Sequence, residues 1–164
     1  MTSLWTRLDA AFVAAFAAQM GAGSAYTGLR LQEVAVNETW EPHKPPWPRL
    51  ILYSTTARLT QTEHGGGGRV RYGLAYPYLA IGVASAETYD EARGAAQELF
   101  GRMVLVMTQP GPILAAAMAA DPAGVEVAVR VLPENRGVSG IEVTGNLRTW
   151  RGVALLGWAV ETKV

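Results

Sequence analysis

The feature that most constrains the fold is a change of hydrophobic period within segment 69–107. In its first half, apolar and aromatic residues recur at every second position, which predicts a β-strand with one apolar face. These residues are Val70, Tyr72, Leu74, Tyr76 and Tyr78. After Val83 the apolar residues follow helical spacing. Thr88 stands where a helix would begin, because a threonine hydroxyl accepts hydrogen bonds from first-turn N–H groups. The segment therefore predicts one long strand running directly into an amphipathic helix.

The region before this helix is predicted to form a long antiparallel β-hairpin that spans residues 50–83. Both arms read as strands, and four consecutive glycines lie between them. Because glycine has high conformational freedom, we expect the hairpin tip at 63–68 to be mobile. Pro77 interrupts the second arm. Proline has no N–H to donate to a sheet ladder, so it predicts an edge position or a β-bulge there.

The remaining segments supply further helices and strands. A first helix, capped by Thr2 or Ser3, places apolar residues on one stripe and ends at Gly21. The stripe consists of Leu4, Leu8, Phe12, Ala15 and Phe16. Further predicted segments are a strand at 29–36, a proline-rich loop at 37–48, a short helix at 112–120, strands at 125–131 and around Ile141 and Val143, and an apolar central strand at 150–160. We therefore expect a single α+β domain spanning 1–164, with a mainly antiparallel or mixed sheet and helices packed on one face.

Composition narrows the classes of function. Lys plus Arg equals Asp plus Glu at 14 each, so net charge does not support binding to nucleic-acid phosphates. The sequence has no cysteine, which excludes disulfides and thiolate chemistry. No apolar run reaches the roughly 18 residues of a membrane helix, and we expect no membrane partner. The charged fraction of 17% is low and favours a chain that covers part of its surface in an assembly.

The sequence contains no set of residues typical of an enzyme. His64 and the glycines after it resemble an oxyanion-hole motif of esterases, but the sequence lacks the Gly-x-Ser-x-Gly turn that this chemistry requires. His43 and His64 each stand alone, without further ligands at metal-binding spacing. We therefore expect no catalytic residue, no cofactor and no metal site, and we expect a binding or assembly function.

The hairpin and the proline-rich loop supply the candidate interface residues. Polar and basic side chains on the hairpin arms are suited to phosphate or to a partner's carboxylates, although a solvated polar face also accounts for them. The loop tryptophans are either interface anchors or pins for their own loop. The candidates are Arg58, Thr60, Thr62, His64, Arg69, Arg71, Trp40 and Trp47.

The order of elements resembles the tail terminator proteins of long-tailed bacteriophages, also called minor tail or tail completion proteins. The resemblance lies in the short first helix, the strand at 48–53, the polar hairpin, the helix start at 84–91 and the final strand ending at 158–164. It implies a structural virion protein, assembled in the host cytoplasm, that forms a six-membered ring on the head-proximal end of the tail tube. The ring would end tube polymerisation and join the tail to the neck. Its implied partners are copies of itself, the tail tube protein and a neck or connector protein, and DNA would pass through the lumen without being read.

Two alternatives remain open. The first is another ring-forming head–tail connector or neck protein. The second is a small-ligand-binding α+β domain with a pocket between the sheet and the helix at 88–103, to which Tyr72, Tyr76 and Tyr78 would contribute polar groups.

Overall fold

The described residues form three α-helices and a seven-stranded sheet. The computed structural model describes residues 3–36, 46–55, 58–64, 66–68, 70–119, 130–133, 139–146 and 148–163. The elements are α1 Leu4–Met20, β1 Glu33–Val36, β2 Arg49–Ser54, β3 Arg58–His64, β4 Val70–Ala86, α2 Tyr89–Met107, α3 Pro110–Ala119, β5 Arg130–Pro133, β6 Gly140–Gly145 and β7 Trp150–Lys163. The predicted α+β class is confirmed.

Two long strands, β4 and β7, form the centre of the sheet. They pair antiparallel from Gly73 opposite Lys163 to Ala86 opposite Trp150. The other edge of β4 pairs with β2 and β3, and the other edge of β7 pairs with β5 and β6. β1 adds to β2 in parallel, so the sheet is mixed but mainly antiparallel, as the sequence predicts.

The predicted hairpin is present, but its first arm is divided into two strands. Both β2 and β3 run antiparallel to β4, and the register of β3 shifts between Leu59 and Gln61. The tip contains a short 3₁₀ turn at Gly66–Gly68. Gly67 and Gly68 have φ values of 81° and 74°, which glycine adopts without strain.

The edge position or bulge predicted at Pro77 is wrong, because Pro77 lies in the middle of β4 in regular register with Ala159. On the other side of β4, the pairing with β2 stops at Tyr78 and the pairing with β3 starts at Ala75. The Pro77 carbonyl accepts a hydrogen bond from the Thr55 N–H on this side. The N–H and C=O of one residue point the same way in an antiparallel ladder. The Pro77 nitrogen, which carries no hydrogen, therefore faces the junction between β2 and β3.

The first helix packs on an aromatic floor formed by the two central strands. The Ser3 hydroxyl accepts from the Thr6 N–H and caps α1, as predicted. The rings of Tyr78 and Trp158, which are opposite each other in β4 and β7, stack with their centroids 5.4 Å apart. Phe12 of α1 packs against both of these rings, with centroid distances of 5.0 and 5.1 Å.

The second helix packs on the same face of the sheet at close distance. Thr88 caps α2 in a reciprocal capping box with Glu91, which confirms the predicted start of this helix. A Cβ added at Gly152 of β7 would meet the backbone of Ala92 and Ala96 of α2. The missing side chain therefore lets the helix approach the strand closely.

Some predicted elements differ from the observed ones. The strand predicted at 29–36 is limited to Glu33–Val36. Of the strand predicted at 125–131, residues 125–129 lie outside the described part of the chain, and β5 occupies Arg130–Pro133. The apolar run at 150–160 is a central strand, as predicted, and continues to Lys163.

The close approach at Gly152 gives a first prediction. Gly152→Ala should lower the free energy of unfolding by about 1–3 kcal/mol, because the added methyl group overlaps the backbone of α2. Gly94→Ala is a matched control, since a Cβ at this exposed helical position meets open space. It should stabilise the protein by up to about 1 kcal/mol. Chemical denaturation measures both values, and a tolerated Gly152→Ala would contradict the packing.

Asp9 of α1 gives a second prediction, because burial raises the pKa of its carboxyl above the ordinary value of 3.8. The hydroxyls of Tyr78 and Ser54 act in the opposite direction, and the Ser54 Oγ lies 3.5 Å from Asp9 Oδ2. The folded state thus holds this proton more tightly than the unfolded state. The resulting stability is fully present below pH 3.8 and is lost as pH rises through the folded pKa.

Asp9→Asn removes this titration while keeping an oxygen acceptor. Its free energy of unfolding should therefore rise relative to that of the wild type as pH increases from about 3 to 6. Urea denaturation at a series of pH values measures the difference. A difference that stays constant with pH would show that burial of Asp9 has no effect on its titration.

Candidate functional site

The helix-covered face of the sheet extends beyond the helices. Both α1 and β4 contain 17 residues. A helix of that length spans about 26 Å, at 1.5 Å per residue, whereas a strand of that length spans about 56 Å, at 3.3 Å per residue. At the first turn of α1, Trp5 packs on Tyr76 with a centroid distance of 4.6 Å. Towards the start of β4, Tyr72 and Val70 follow on the same face and are 46% and 38% exposed.

β3 enlarges this uncovered apolar surface. Leu59 is opposite Leu74 of β4, so both side chains lie on the same face as Tyr72. Leu59 is 61% exposed. β7 ends opposite Gly73, and residues 70–72 of β4 pair only with β3 among the described strands. We call β3 together with residues 70–75 of β4 the ribbon.

The two faces of the ribbon differ in charge. Arg58 and Glu63 are opposite residues 75 and 71, which alternate with the apolar positions 70, 72 and 74. Their side chains therefore belong to the face away from the helices. On the helix side, the described exposed side chains are Leu59, His64, Val70 and Tyr72. This side of the ribbon contains no Asp, Glu, Lys or Arg among them, which is suited to burial against an apolar partner surface.

Several predicted interface residues lie on the ribbon, on one or other of its faces. Arg58 and His64 are exposed, on opposite faces. Thr60 and Thr62 are in β3 and Arg71 is in β4. Trp40 and Arg69 lie outside the described residues. Sequence reasoning did not select Leu59 and Val70, and it considered Tyr72 only as a residue of a ligand pocket. For Val70 and Tyr72 the signal was a period-two apolar pattern longer than a helix of equal residue number can cover.

Trp47 lies on the face of the sheet away from α1 and α2. The Arg151 guanidinium stacks 4.0 Å from the Trp47 ring centre and donates to the Ser85 hydroxyl at 2.8 Å. On the same face, buried Arg49 forms an ion pair of 2.9 Å with Glu33. These contacts favour the interpretation of Trp47 as a pin for its own loop.

A cleft of about 270 Å³ lies between the three helices. It is lined by residues that include Ala15 and Ala18 of α1, Arg102 and Leu105 of α2, and Ile113 of α3. Leu105 is 58% exposed and its neighbour Val104 is 37% exposed. Most of the residues that line the cleft are apolar, Gln19, Arg102 and Gln109 are polar, and Leu105 lies at its exposed edge.

The charged group at this cleft is held by internal contacts. The Arg102 guanidinium lies 4.2 Å from the Tyr26 ring centre and donates to the Gln19 carbonyl at 3.2 Å. The Tyr26 hydroxyl in turn donates to Glu98 at 2.6 Å, and this hydrogen bond raises the pKa of Tyr26. Glu98 also accepts from the Leu29 N–H, so it fixes the chain after α1 against α2.

This cleft lies between helices, whereas the sequence analysis considered a pocket between the sheet and the helix at 88–103. Leu99 and Met103 of α2 pack directly over Gly82, where a methyl group would touch Leu99 and crowd the Met103 sulfur, and α2 contacts β7 closely at Gly152. The three tyrosines that would line such a pocket have different surroundings. Tyr78 is buried in the aromatic floor, Tyr76 packs on Trp5, and Tyr72 is exposed.

Within the described ranges, no group of three or more Asp, Glu, His or Cys residues is placed to hold a metal ion. No single described helix is long and apolar enough to cross a membrane; α2 and α3 together reach that length and composition but are bent by 60°. The sequence matches no protein-family model and no curated protein.

The exposure of Leu59 predicts that it contributes little to folding. Leu59→Ala should change the free energy of unfolding by no more than about 0.5 kcal/mol. Leu52→Ala is the matched control, because Leu52 lies in β2 and is fully buried. It should cost about 2–5 kcal/mol. Equal losses for the two variants in urea denaturation would mean that Leu59 is part of the core.

Proposed function

We propose that this chain is a structural subunit of a bacteriophage tail terminator, which forms a ring on the head-proximal end of the tail tube. In this proposal the ring ends tube polymerisation and presents a surface to the neck. The protein acts in the virion after assembly in the host cytoplasm, without catalysis or a cofactor. DNA passes through the lumen without sequence recognition.

The observation that carries the proposal is the exposed apolar side of the ribbon. Leu59, Val70 and Tyr72 continue the face that α1 covers elsewhere, and they lie at the end of the sheet. Exposed apolar side chains grouped in this way are typical of a surface that binds another protein. The low charged fraction of 17% agrees with a chain that shares much of its surface with partners.

A terminator has to stop at a closed ring, because continued addition of subunits would extend the tube. Closure of this kind requires heterologous contacts, in which two different surfaces of each subunit meet around the ring. The ribbon and the helix layer are different surfaces of this kind within one chain.

The proposal predicts a defined oligomer. Light scattering over a range of concentrations should give a species with about six times the 17.5 kDa mass of one chain, or a monomer that closes into such a ring when tube protein is added. In negative-stain images, the protein should sit at one end of tubes formed by the tail tube protein of the same phage. Tubes grown without it are the control and should be longer and more variable in length.

Other outcomes discriminate between the alternatives. A ring that forms but ignores the tube protein would favour a connector or neck protein. A strict monomer that ignores the tube protein would overturn the assembly function altogether.

A further inference from the structure

We infer that the cleft between α1, α2 and α3 (the helix-layer cleft) of each copy receives the ribbon of a neighbouring copy. The inference rests on the proposed ring and specifies which surfaces close it. The donor surface is the apolar side of the ribbon, with Leu59 and Tyr72. The acceptor is the cleft between α1, α2 and α3, with Leu105 at its rim.

The distribution of exposed apolar side chains points to these two surfaces. Among the described residues, the large exposed hydrophobic side chains fall mainly into two groups. Leu59, Val70 and Tyr72 belong to the ribbon, and Val104 and Leu105 belong to the end of α2. Tyr89, the remaining one, packs edge-on against Trp150. Burial of one group against the other removes both from water in a single contact.

The shapes of the two surfaces are complementary. The ribbon extends from the end of the sheet, whereas the acceptor is a concave cleft of about 270 Å³. That volume is below the range of about 300–1,000 Å³ typical of small-molecule sites. It is suited to an apolar side chain presented by another protein surface.

The charges of the two surfaces are also compatible. Arg58 and Glu63 lie on the ribbon face away from the apolar side, so docking of the apolar side does not bury them. Arg102 is the charged residue that lines the cleft, and its guanidinium already contacts the Tyr26 ring and the Gln19 carbonyl. The contact would therefore bury no carboxylate, and the cation at the cleft keeps its cation–π contact and its hydrogen bond within its own chain.

A contact between two different surfaces of the same chain has a geometric consequence. Each copy donates one ribbon and accepts another, so the contact is heterologous and generates a ring when the rotation closes. Pairing of two ribbons with each other would instead be isologous and would stop at a dimer.

Engineered cysteines test this contact directly, because the sequence contains no cysteine. Leu59→Cys and Tyr72→Cys place a thiol on the ribbon, and Leu105→Cys and Gln109→Cys place one at the cleft. Each ribbon variant is mixed with each cleft variant under mild oxidation. A disulfide requires Cα atoms within about 7 Å, so it reports direct contact. Thermal unfolding of each variant confirms that it folds.

The expected result is a disulfide-linked species of twice the chain mass that forms in at least one ribbon–cleft mixture and is lost under reducing conditions. Arg93→Cys mixed with Leu59→Cys is the matched control, since Arg93 is exposed on α2 away from the cleft. This mixture should give no such species. A pair of introduced opposite charges provides a second readout. Leu59→Asp and Leu105→Lys should each weaken the oligomer, and the double variant, in which the two charges can pair, should restore part of it.

Three results would overturn the inference. Ribbon variants that cross-link with themselves in preference to cleft variants would indicate an isologous dimer. A ring in light scattering, with no ribbon–cleft cross-link in any mixture and no rescue by the double variant, would leave the terminator function intact and reject this interface. A monomer under all conditions would reject the proposed function together with the interface.

Discussion

The antiparallel pairing of β4 with β7 is the interaction on which the rest of the structure depends. Its ladder runs from Gly73 opposite Lys163 to Ala86 opposite Trp150, and the outer edges of the two strands pair with four shorter strands. The same pairing brings Tyr78 and Trp158 together as the floor on which α1 packs. The pairing also determines how closely α2 packs on the sheet, because Gly152 of β7 lies against the α2 backbone.

The length of these strands leaves part of the sheet without a helix. A helix advances less than half as far per residue as a strand, so α1 covers only part of the apolar face of β4. The hydrophobic pattern nevertheless continues to Tyr72 and Val70, and β3 adds Leu59. The helix side of the ribbon is thus an apolar surface left uncovered by the protein's own helices, which is a physical reason to expect that a partner covers it.

The sequence predicted the features that depend on local chemistry. The Thr88 cap, the stripe of α1 and the alternating pattern of β4 follow from short-range rules, and the structure has all three. The sequence did not predict the position of Pro77, because the local pattern around Pro77 does not show where β2 ends and β3 begins on the neighbouring side. The sequence does not decide the role of Trp47 for the same reason, since its partner Arg151 is distant in sequence.

The candidate site was predicted only in part. The polar and basic residues of the hairpin predict an interface there, and Arg58 and His64 are exposed on it. The sequence places Val70 and Tyr72 on the apolar face of a strand, but a period-two pattern does not reveal where the covering helix stops. The helix-layer cleft was not predicted, since it requires the relative positions of three helices.

Hydroxyl-radical footprinting before and after assembly tests most directly whether the ribbon is an interface. Tyr72 and Tyr89 have nearly equal exposed fractions of 46% and 47%, so they form an internal pair for comparison. We expect oxidation of Tyr72 and Leu59 to fall when the protein assembles, while oxidation of Tyr89 stays unchanged. Equal oxidation of Tyr72 in the free and assembled states would contradict the assignment of this surface to a protein partner.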